Sequence, residues 1–261
     1  MTTSAQQIRT YEGPALLSYG FRVFFLAGAA WAALTVALWL PVLTGALTLP
    51  AALSPIDWHV HELLFGFLPA IVAGFLLTAV PNWTGRLPVM GAPLLALFLV
   101  WAAGRIAVLI SQHTGILTAA AVDLAFLVTL GAVIAREIIA GRNYRNLRVL
   151  VLVGLLLAAN AAFWIEAATV SGDGYGTRLG IAAAVLLISL IGGRIIPSFT
   201  HNWLARRASG RMPVTFNRFD ITTLLATAIA LAGWVAAPHA AASAGLLTLA
   251  GLMHVARLLR W

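Results

Sequence analysis

The sequence is dominated by apolar runs that are long enough to cross a lipid bilayer. A transmembrane helix needs about 20 mostly apolar residues. The chain is 61% hydrophobic and only 9% charged, whereas soluble domains carry roughly 25% charged residues. Water-soluble folds are therefore excluded, and the sequence predicts an all-α, polytopic integral membrane protein. Hydropathy predicts eight transmembrane helices, at 21–40, 60–79, 92–110, 115–135, 147–168, 178–196, 221–237 and 240–257.

The arginines indicate how these helices are oriented. All 16 basic residues are Arg, and they cluster at the chain ends and in the even-numbered loops. Basic residues are enriched in cytoplasmic loops, so both termini are predicted to be cytoplasmic. This placement accounts for the net charge of +8 and argues against a nucleic-acid partner, since the bilayer is the expected environment.

A short motif occurs twice and suggests an internal repeat. The pattern N-W-x-x-R appears as "NWTGR" at 82–86 and "NWLAR" at 202–206, each after an apolar run with a proline near its end. We therefore predict a four-helix unit used twice. The predicted segments are a cytoplasmic N-terminal segment (1–20), a first unit (21–135), an Arg-rich cytoplasmic loop (136–146), a second unit (147–257) and a cytoplasmic end (258–261).

Several polar side chains fall inside predicted spans, where ionisable residues are usually functional. Arg105 and Asp123 lie at similar depths in spans three and four, which a short turn connects. They can neutralise each other, or Arg105 can bind the acid group of a ligand while Asp123 holds it. Asn160 can hydrogen-bond a neighbouring helix, and Arg194 can extend to the headgroups.

Two histidines lie at the predicted start of span two, in "IDWHVHELLFGF". His59 and His61 are two positions apart, which is about 200° of helical rotation. They cannot both ligate one metal from a regular helix, so either the backbone is extended or the rings serve different centres. Neutral imidazole suits haem iron and copper, and Glu62 or Asp57 could orient a ring. Alternatively, the pair only caps the span.

A second feature of this span is a stripe of small residues. His59 would share a helical face with Glu62, Gly66, Ala70 and Gly74. Small residues at such spacing let another helix, or a flat ring, approach the backbone closely. The chain has no cysteine, so disulfides and thiolate metal sites are excluded.

Two long motifs resemble the NnrS family, namely "WHVHELLFGFLPAIVAGFLLTAVPNWTGR" (58–86) and "GGRIIPSFTHNWL" (192–204). Shorter segments along nearly the whole chain agree with the resemblance. Members are bacterial inner-membrane proteins regarded as haem- and copper-containing and linked to nitric oxide metabolism and denitrification. The resemblance therefore implies b-type haem as a cofactor, copper as a possible second cofactor, and nitric oxide as a partner. By matching position it implies cofactor binding by His59, His61, Glu62, Arg105 and Arg194, with His59 and His61 as metal ligands.

The sequence also departs from the family pattern in two places. Typical members have about twelve spans, so this chain would correspond to about the first two thirds, or two units of a three-unit plan. In addition, "NAAFWIEA" carries Trp164 and Glu166 where members often have a histidine.

Three functions are compatible with the sequence. The first is a haem-binding, possibly copper-binding, membrane protein for nitric oxide handling. The second is a transporter or channel with a polar path through Arg105, Asp123, Asn160 and Glu166, which predicts broken helices near the midplane. The third is a non-catalytic assembly or regulatory partner. No general base with a positioned nucleophile is recognisable, so an enzymatic role would depend on the metal.

Overall fold

The computed structural model describes residues 11–169, 172–207 and 211–261. These residues are mostly helical, contain no strand, and include eight helices that are apolar and long enough to span a membrane. The predicted all-α, multi-pass membrane fold is confirmed. The spans are α1 (Gly20–Leu43), α2 (Pro55–Thr84), α3 (Ala92–Leu109), α4 (Ile116–Ala140), α5 (Arg148–Thr169), α6 (Tyr175–Ala205), α7 (Arg218–Ala236) and α8 (Ala241–Leu258).

Short helical turns lie at Ala15–Leu17, Ser111–Thr114 and Tyr144–Leu147. The chain forms two compact units that divide after Thr177, close to the start of α6. A division into compact units does not test whether a four-helix unit is repeated. The two predicted four-helix units and their boundaries therefore stay a prediction. Part of the predicted N-terminal segment, residues 1–10, lies outside the described residues.

The second and sixth spans are longer than hydropathy predicts. Helix α2 begins at Pro55, where Ser54 caps it by accepting a hydrogen bond of 3.1 Å from the Asp57 N–H. Proline suits this first turn because its missing N–H would have no helical partner there. Pro81 and Pro197 lie inside α2 and α6 rather than ending them. A spanning helix tolerates proline where neighbouring groups satisfy the freed carbonyl.

Helix α2 contains a π-helical turn over Glu62–Phe67. Such turns insert extra backbone into a helix and are common at functional sites. Pro69 follows the turn and has no N–H to offer the preceding backbone. The Gly66 carbonyl, also in the turn, accepts a 3.0 Å hydrogen bond from the Trp101 indole of α3. The turn is thus fixed by a side chain of the neighbouring helix.

The predicted small face of α2 receives α1. A Cβ at Gly28 of α1 would lie 3.3 Å from the Cβ of Ala70, and Gly74 lies against Phe25. Helices α3 and α4 approach as closely, because a Cβ at Gly104 would lie 3.3 Å from the Asp123 Cα. Of the two occupants predicted for the small face, the structure therefore places a helix there.

In the second unit, α7 and α8 form an antiparallel hairpin. Asn217 begins α7 with a capping box, in which the Asn217 N–H donates to Asp220 and the Asn217 side chain accepts from Phe219. Within the hairpin, the Thr227 hydroxyl and His254 Nε2 lie 2.9 Å apart. The cap fixes Asp220 at the end of the helix, where it is also available to α8.

We expect the substitution Gly176→Ala to destabilise the fold. Gly176 is buried against the backbone of Phe163 in α5, so an added Cβ would overlap main-chain atoms that cannot rotate away. Overpacking of this kind costs about 1–3 kcal/mol, measurable as the free energy of unfolding in mixed micelles. The matched control is Gly154→Ala, where a Cβ meets nothing within 4 Å. Equal stabilities of the two variants would contradict this packing.

Candidate functional site

Four ionisable side chains meet inside the first unit and form what we call the charge cluster: His61, Glu62, Arg105 and Asp123. They come from α2, α3 and α4, and each is at most 3% exposed. Isolated charges are too costly to bury in an apolar medium, so buried charges must be paired and hydrogen-bonded. The cluster satisfies this requirement within the protein.

Arg105 joins the two carboxylates. Its Nη1 donates to Glu62 Oε2 at 2.7 Å, and its Nη2 donates to Asp123 Oδ1. The predicted pairing of Arg105 with Asp123 is therefore present, and Glu62 extends it to α2. Both terminal nitrogens are thus engaged within the protein, whereas the buried Nε has no hydrogen-bond partner among the described residues. The alternative in which Arg105 binds a ligand's acid group stays a prediction.

His61 lies between the same two carboxylates. Its Nδ1 is 3.1 Å from Glu62 Oε1, and its Nε2 is 3.2 Å from Asp123 Oδ2. An ionised carboxylate can only accept hydrogen bonds, so this geometry is complementary to a ring with N–H groups on both nitrogens. With such a ring, two positive and two negative groups balance. Both ring nitrogens are thus occupied by protein oxygens.

Neutral donors complete the cluster. Asp123 Oδ2 accepts hydrogen bonds from Asn160 at 2.7 Å and from Trp164 at 3.0 Å, and Glu62 Oε2 accepts from Trp31 at 2.6 Å. The predicted interhelical role of Asn160 is present. Trp31 was missed by sequence reasoning, and Trp164 was noticed only as a departure. A tryptophan well inside a span is the available signal, because a buried indole N–H needs an acceptor.

The π-helical turn gives the cluster its space. A Cβ at Gly66 would collide with Arg105 Nη1 and would lie 2.8 Å from Glu62 Oε2. Only glycine therefore allows the guanidinium to lie across α2. Rings surround the other side, with the centroids of Phe163 and Trp164 at 5.2 and 4.9 Å from His61. This apolar wall strengthens the ion pairs, because it lowers the local dielectric constant.

His59 occupies a different environment from His61, although both are in helical backbone. The predicted alternative of an extended segment is therefore wrong, because the Ser54 cap starts the helix earlier. The His59 ring stacks on Trp39 of α1, with centroids 4.1 Å apart. Among the described residues, three buried nitrogens here have no hydrogen-bond partner: His59 Nδ1, Trp39 Nε1 and Trp58 Nε1.

The other predicted polar residues lie outside the cluster. Glu166 accepts hydrogen bonds from the N–H groups of Tyr175 and Gly176, at 2.6 and 3.1 Å, and so caps α6. Arg194 lies in the second unit, where it lines a cavity with Pro197. The structure therefore brings together His61, Glu62 and Arg105 of the predicted set.

The family model described as NnrS protein matches residues 15–261. The chain belongs to the NnrS family. Membership supports a nitric-oxide-related membrane protein. No similar protein of curated function and no similar solved structure was found.

A haem site in an NnrS protein needs an axial ligand for the iron and donors for the propionate groups. One axial imidazole can hold haem iron, and His59 has a buried ring nitrogen with no partner among the described residues. Within the described part of the chain, the indole N–H groups of Trp39 and Trp58 have no acceptor, and a propionate carboxylate could accept from such donors. The donor set around His59 therefore fits a haem.

Copper fits this part of the NnrS chain less well. Copper sites in proteins use several nitrogen or sulfur ligands, whereas the ring nitrogens of His61 are both engaged. Within residues 11–169, 172–207 and 211–261, no group of three or more His, Asp or Glu side chains is arranged to hold a metal ion. The described residues therefore suit haem better than copper.

We expect Arg105→Gln to destabilise the protein by about 3–5 kcal/mol, because removing one partner leaves buried carboxylates unpaired. The matched control is Arg86→Gln. Arg86 also pairs with a glutamate, Glu137, but the Arg86 side chain is 44% exposed and Glu137 keeps a second partner in Arg136. We therefore expect a smaller loss of about 0–1 kcal/mol. Unfolding free energies in mixed micelles test both variants. Similar losses would contradict the dependence of the fold on the charge cluster.

Proposed function

We propose that this NnrS-family chain handles nitric oxide in the bacterial inner membrane through a b-type haem held by His59. The observation that carries the proposal is the difference between the two histidines. His59 keeps a buried ring nitrogen with no partner among the described residues, whereas both nitrogens of His61 face carboxylates. Positive-inside orientation, with cytoplasmic termini, would place this end of α2 at the periplasmic side.

His59 would supply the axial imidazole. Its ring is held flat against Trp39, with an interplanar angle of 17°, so few ring orientations are open to it. Trp39 and Trp58 would donate their indole N–H groups to propionate oxygens. When bound, haem would supply an iron that coordinates nitric oxide and can itself change oxidation state.

The charge cluster would position His59 rather than bind the cofactor. His61 and Glu62 lie two and three positions after His59 on α2, and they are tied to α3 and α4 through Asp123 and Arg105. A ligand placed on rigid, supported backbone keeps its geometry. The predicted participation of His61, Glu62 and Arg105 is therefore proposed as support of the ligand-bearing helix.

The transport hypothesis has one supporting feature, the π-helical turn that interrupts α2. A transport path needs polar groups that are available to a substrate. At this turn, however, the Gly66 carbonyl is bonded to Trp101 and the Glu62 carboxylate to Arg105. The polar groups of the turn are engaged within the protein, which favours the cofactor proposal over transport.

The proposal predicts that His59→Ala abolishes haem binding. Purified protein, expressed with haem supplementation, would be examined by reduced-minus-oxidised optical spectra with and without nitric oxide. Wild type should show reduced b-type bands that nitric oxide shifts, because iron is accessible to the gas. His59→Ala should lose these bands and keep its helical content by circular dichroism.

Two further variants sharpen the test. His113→Ala replaces an exposed histidine in the turn after α3 and should leave the spectra unchanged. His61→Gln should lower stability but leave haem bands in the folded fraction, since His61 is not proposed as a ligand. A colourless wild type, or bands lost in His61→Gln and retained in His59→Ala, would overturn the proposal.

A further inference from the structure

The second unit contains a cavity of about 280 Å³ near the C-terminal end of α6. Its polar lining comes mainly from Arg194, Ser198, His201 and Asn202, and no carboxylate of the described residues contributes to it. The volume lies below the roughly 300–1,000 Å³ of sites for drug-sized ligands. The lining therefore suits a small, negatively charged group.

A second guanidinium lies behind this cavity. Arg257 of α8 is 1% exposed, and its Nε donates to Asp220 at 2.7 Å while its Nη1 donates to the Ser189 carbonyl at 2.9 Å. Its Nη2 is buried and has no partner among the described residues. This guanidinium lies against Gly193, which lines the cavity, and a Cβ at Gly193 would collide with it.

The two arginines share one aromatic ring of the cavity wall. The Arg194 and Arg257 guanidinium carbons lie 5.7 and 6.0 Å from the centroid of Phe216. Both cations therefore lie close to the same residue of the cavity wall. Arginine on an aromatic face remains able to donate in its own plane, which is the geometry that binds oxyanions.

Charge balance gives an independent argument. Asp220 is the only acidic residue in 178–261, and it is shared between Arg257 and Arg260, with a 3.9 Å separation to Arg260. A single carboxylate carries less negative charge than the positive charge of Arg257 and Arg260 together. A buried guanidinium is costly without sufficient counter-charge, so this region is electrostatically suited to an added anion.

We propose that the cavity is a binding site for a phosphate-type oxyanion, with Arg194 contacting the anion and Arg257 supplying charge and a donor through the Gly193 face. His201 and Asn202 would provide further polar contacts. The oxyanion has two chemically equivalent sources, the phosphodiester of an anionic lipid headgroup and free inorganic phosphate. Trp203 and Arg207 follow in sequence and stack on each other at 4.2 Å, which is typical of the headgroup region.

The test uses the purified full chain and two probes, inorganic phosphate and phosphatidylglycerol. Calorimetric titration with phosphate, at constant ionic strength in chloride buffer, measures the free anion. Lipid retention from phosphatidylglycerol–phosphatidylcholine nanodiscs, followed by native mass spectrometry, measures the headgroup. Arg194→Gln should weaken binding by about tenfold or more, because a charge-assisted hydrogen bond is lost.

Arg218→Gln is the matched control, since Arg218 is exposed, belongs to the same unit and does not line the cavity. It should bind like wild type. Gly193→Ala displaces the Arg257 guanidinium while leaving Arg194 in place, and it should also weaken binding. Circular dichroism of each variant confirms that it is folded.

The outcomes separate the two sources. Binding of phosphate alone identifies a site for a free oxyanion, and retention of phosphatidylglycerol alone identifies a lipid site. The proposal is overturned if wild type binds neither probe. It is also overturned if Arg194→Gln and Arg218→Gln bind equally well. These results do not depend on haem, so the site can stand or fall separately from the proposed function.

Discussion

Buried charges that must neutralise one another are the constraint on which this structure depends. In the first unit, Arg105 holds Glu62 and Asp123 together across three helices, and His61 closes the ring of contacts. Each of these groups would be prohibitively costly alone in an apolar surrounding. The close approach of α2, α3 and α4 is therefore tied to the completeness of the cluster. Gly66, near the end of the π-helical turn, leaves the space that the Arg105 guanidinium occupies.

The second unit uses a related device with a different result. A glycine of α6, Gly193, lies against a buried guanidinium, Arg257, which pairs with Asp220 of the adjacent helix. Gly66 and Arg105 form the corresponding arrangement in the first unit. There, two carboxylates balance the cations, whereas the second unit has a single acidic residue for several arginines. The charges of the first unit's cluster therefore balance. The second unit carries more positive than negative charge, which suits the proposed anion.

The two neighbouring histidines show how the same residue type acquires different roles from its surroundings. His61 is enclosed by carboxylates and aromatic rings, which suits a structural group. His59 is stacked on Trp39 and has a buried nitrogen with no partner in the part of the chain that the structure describes, which suits a ligand. Helical geometry requires this divergence, because two positions correspond to about 200° of rotation. Haem binding by this NnrS-family chain would consequently fall on one of them.

The sequence by itself determined the class of the protein, because apolar length specifies spanning helices. It also predicted the Arg105–Asp123 pair, since both side chains lie at similar depth in consecutive spans, and it indicated the NnrS family through two long motifs. It could not predict that His61 and Glu62 join this pair, or that the indole of Trp31 donates to Glu62. Their positions depend on a π-helical turn and on how α1 and α2 pack, and neither follows from hydropathy. Only the tertiary structure decided which histidine is enclosed and where cationic side chains outnumber their counter-charges, because both depend on contacts between distant segments.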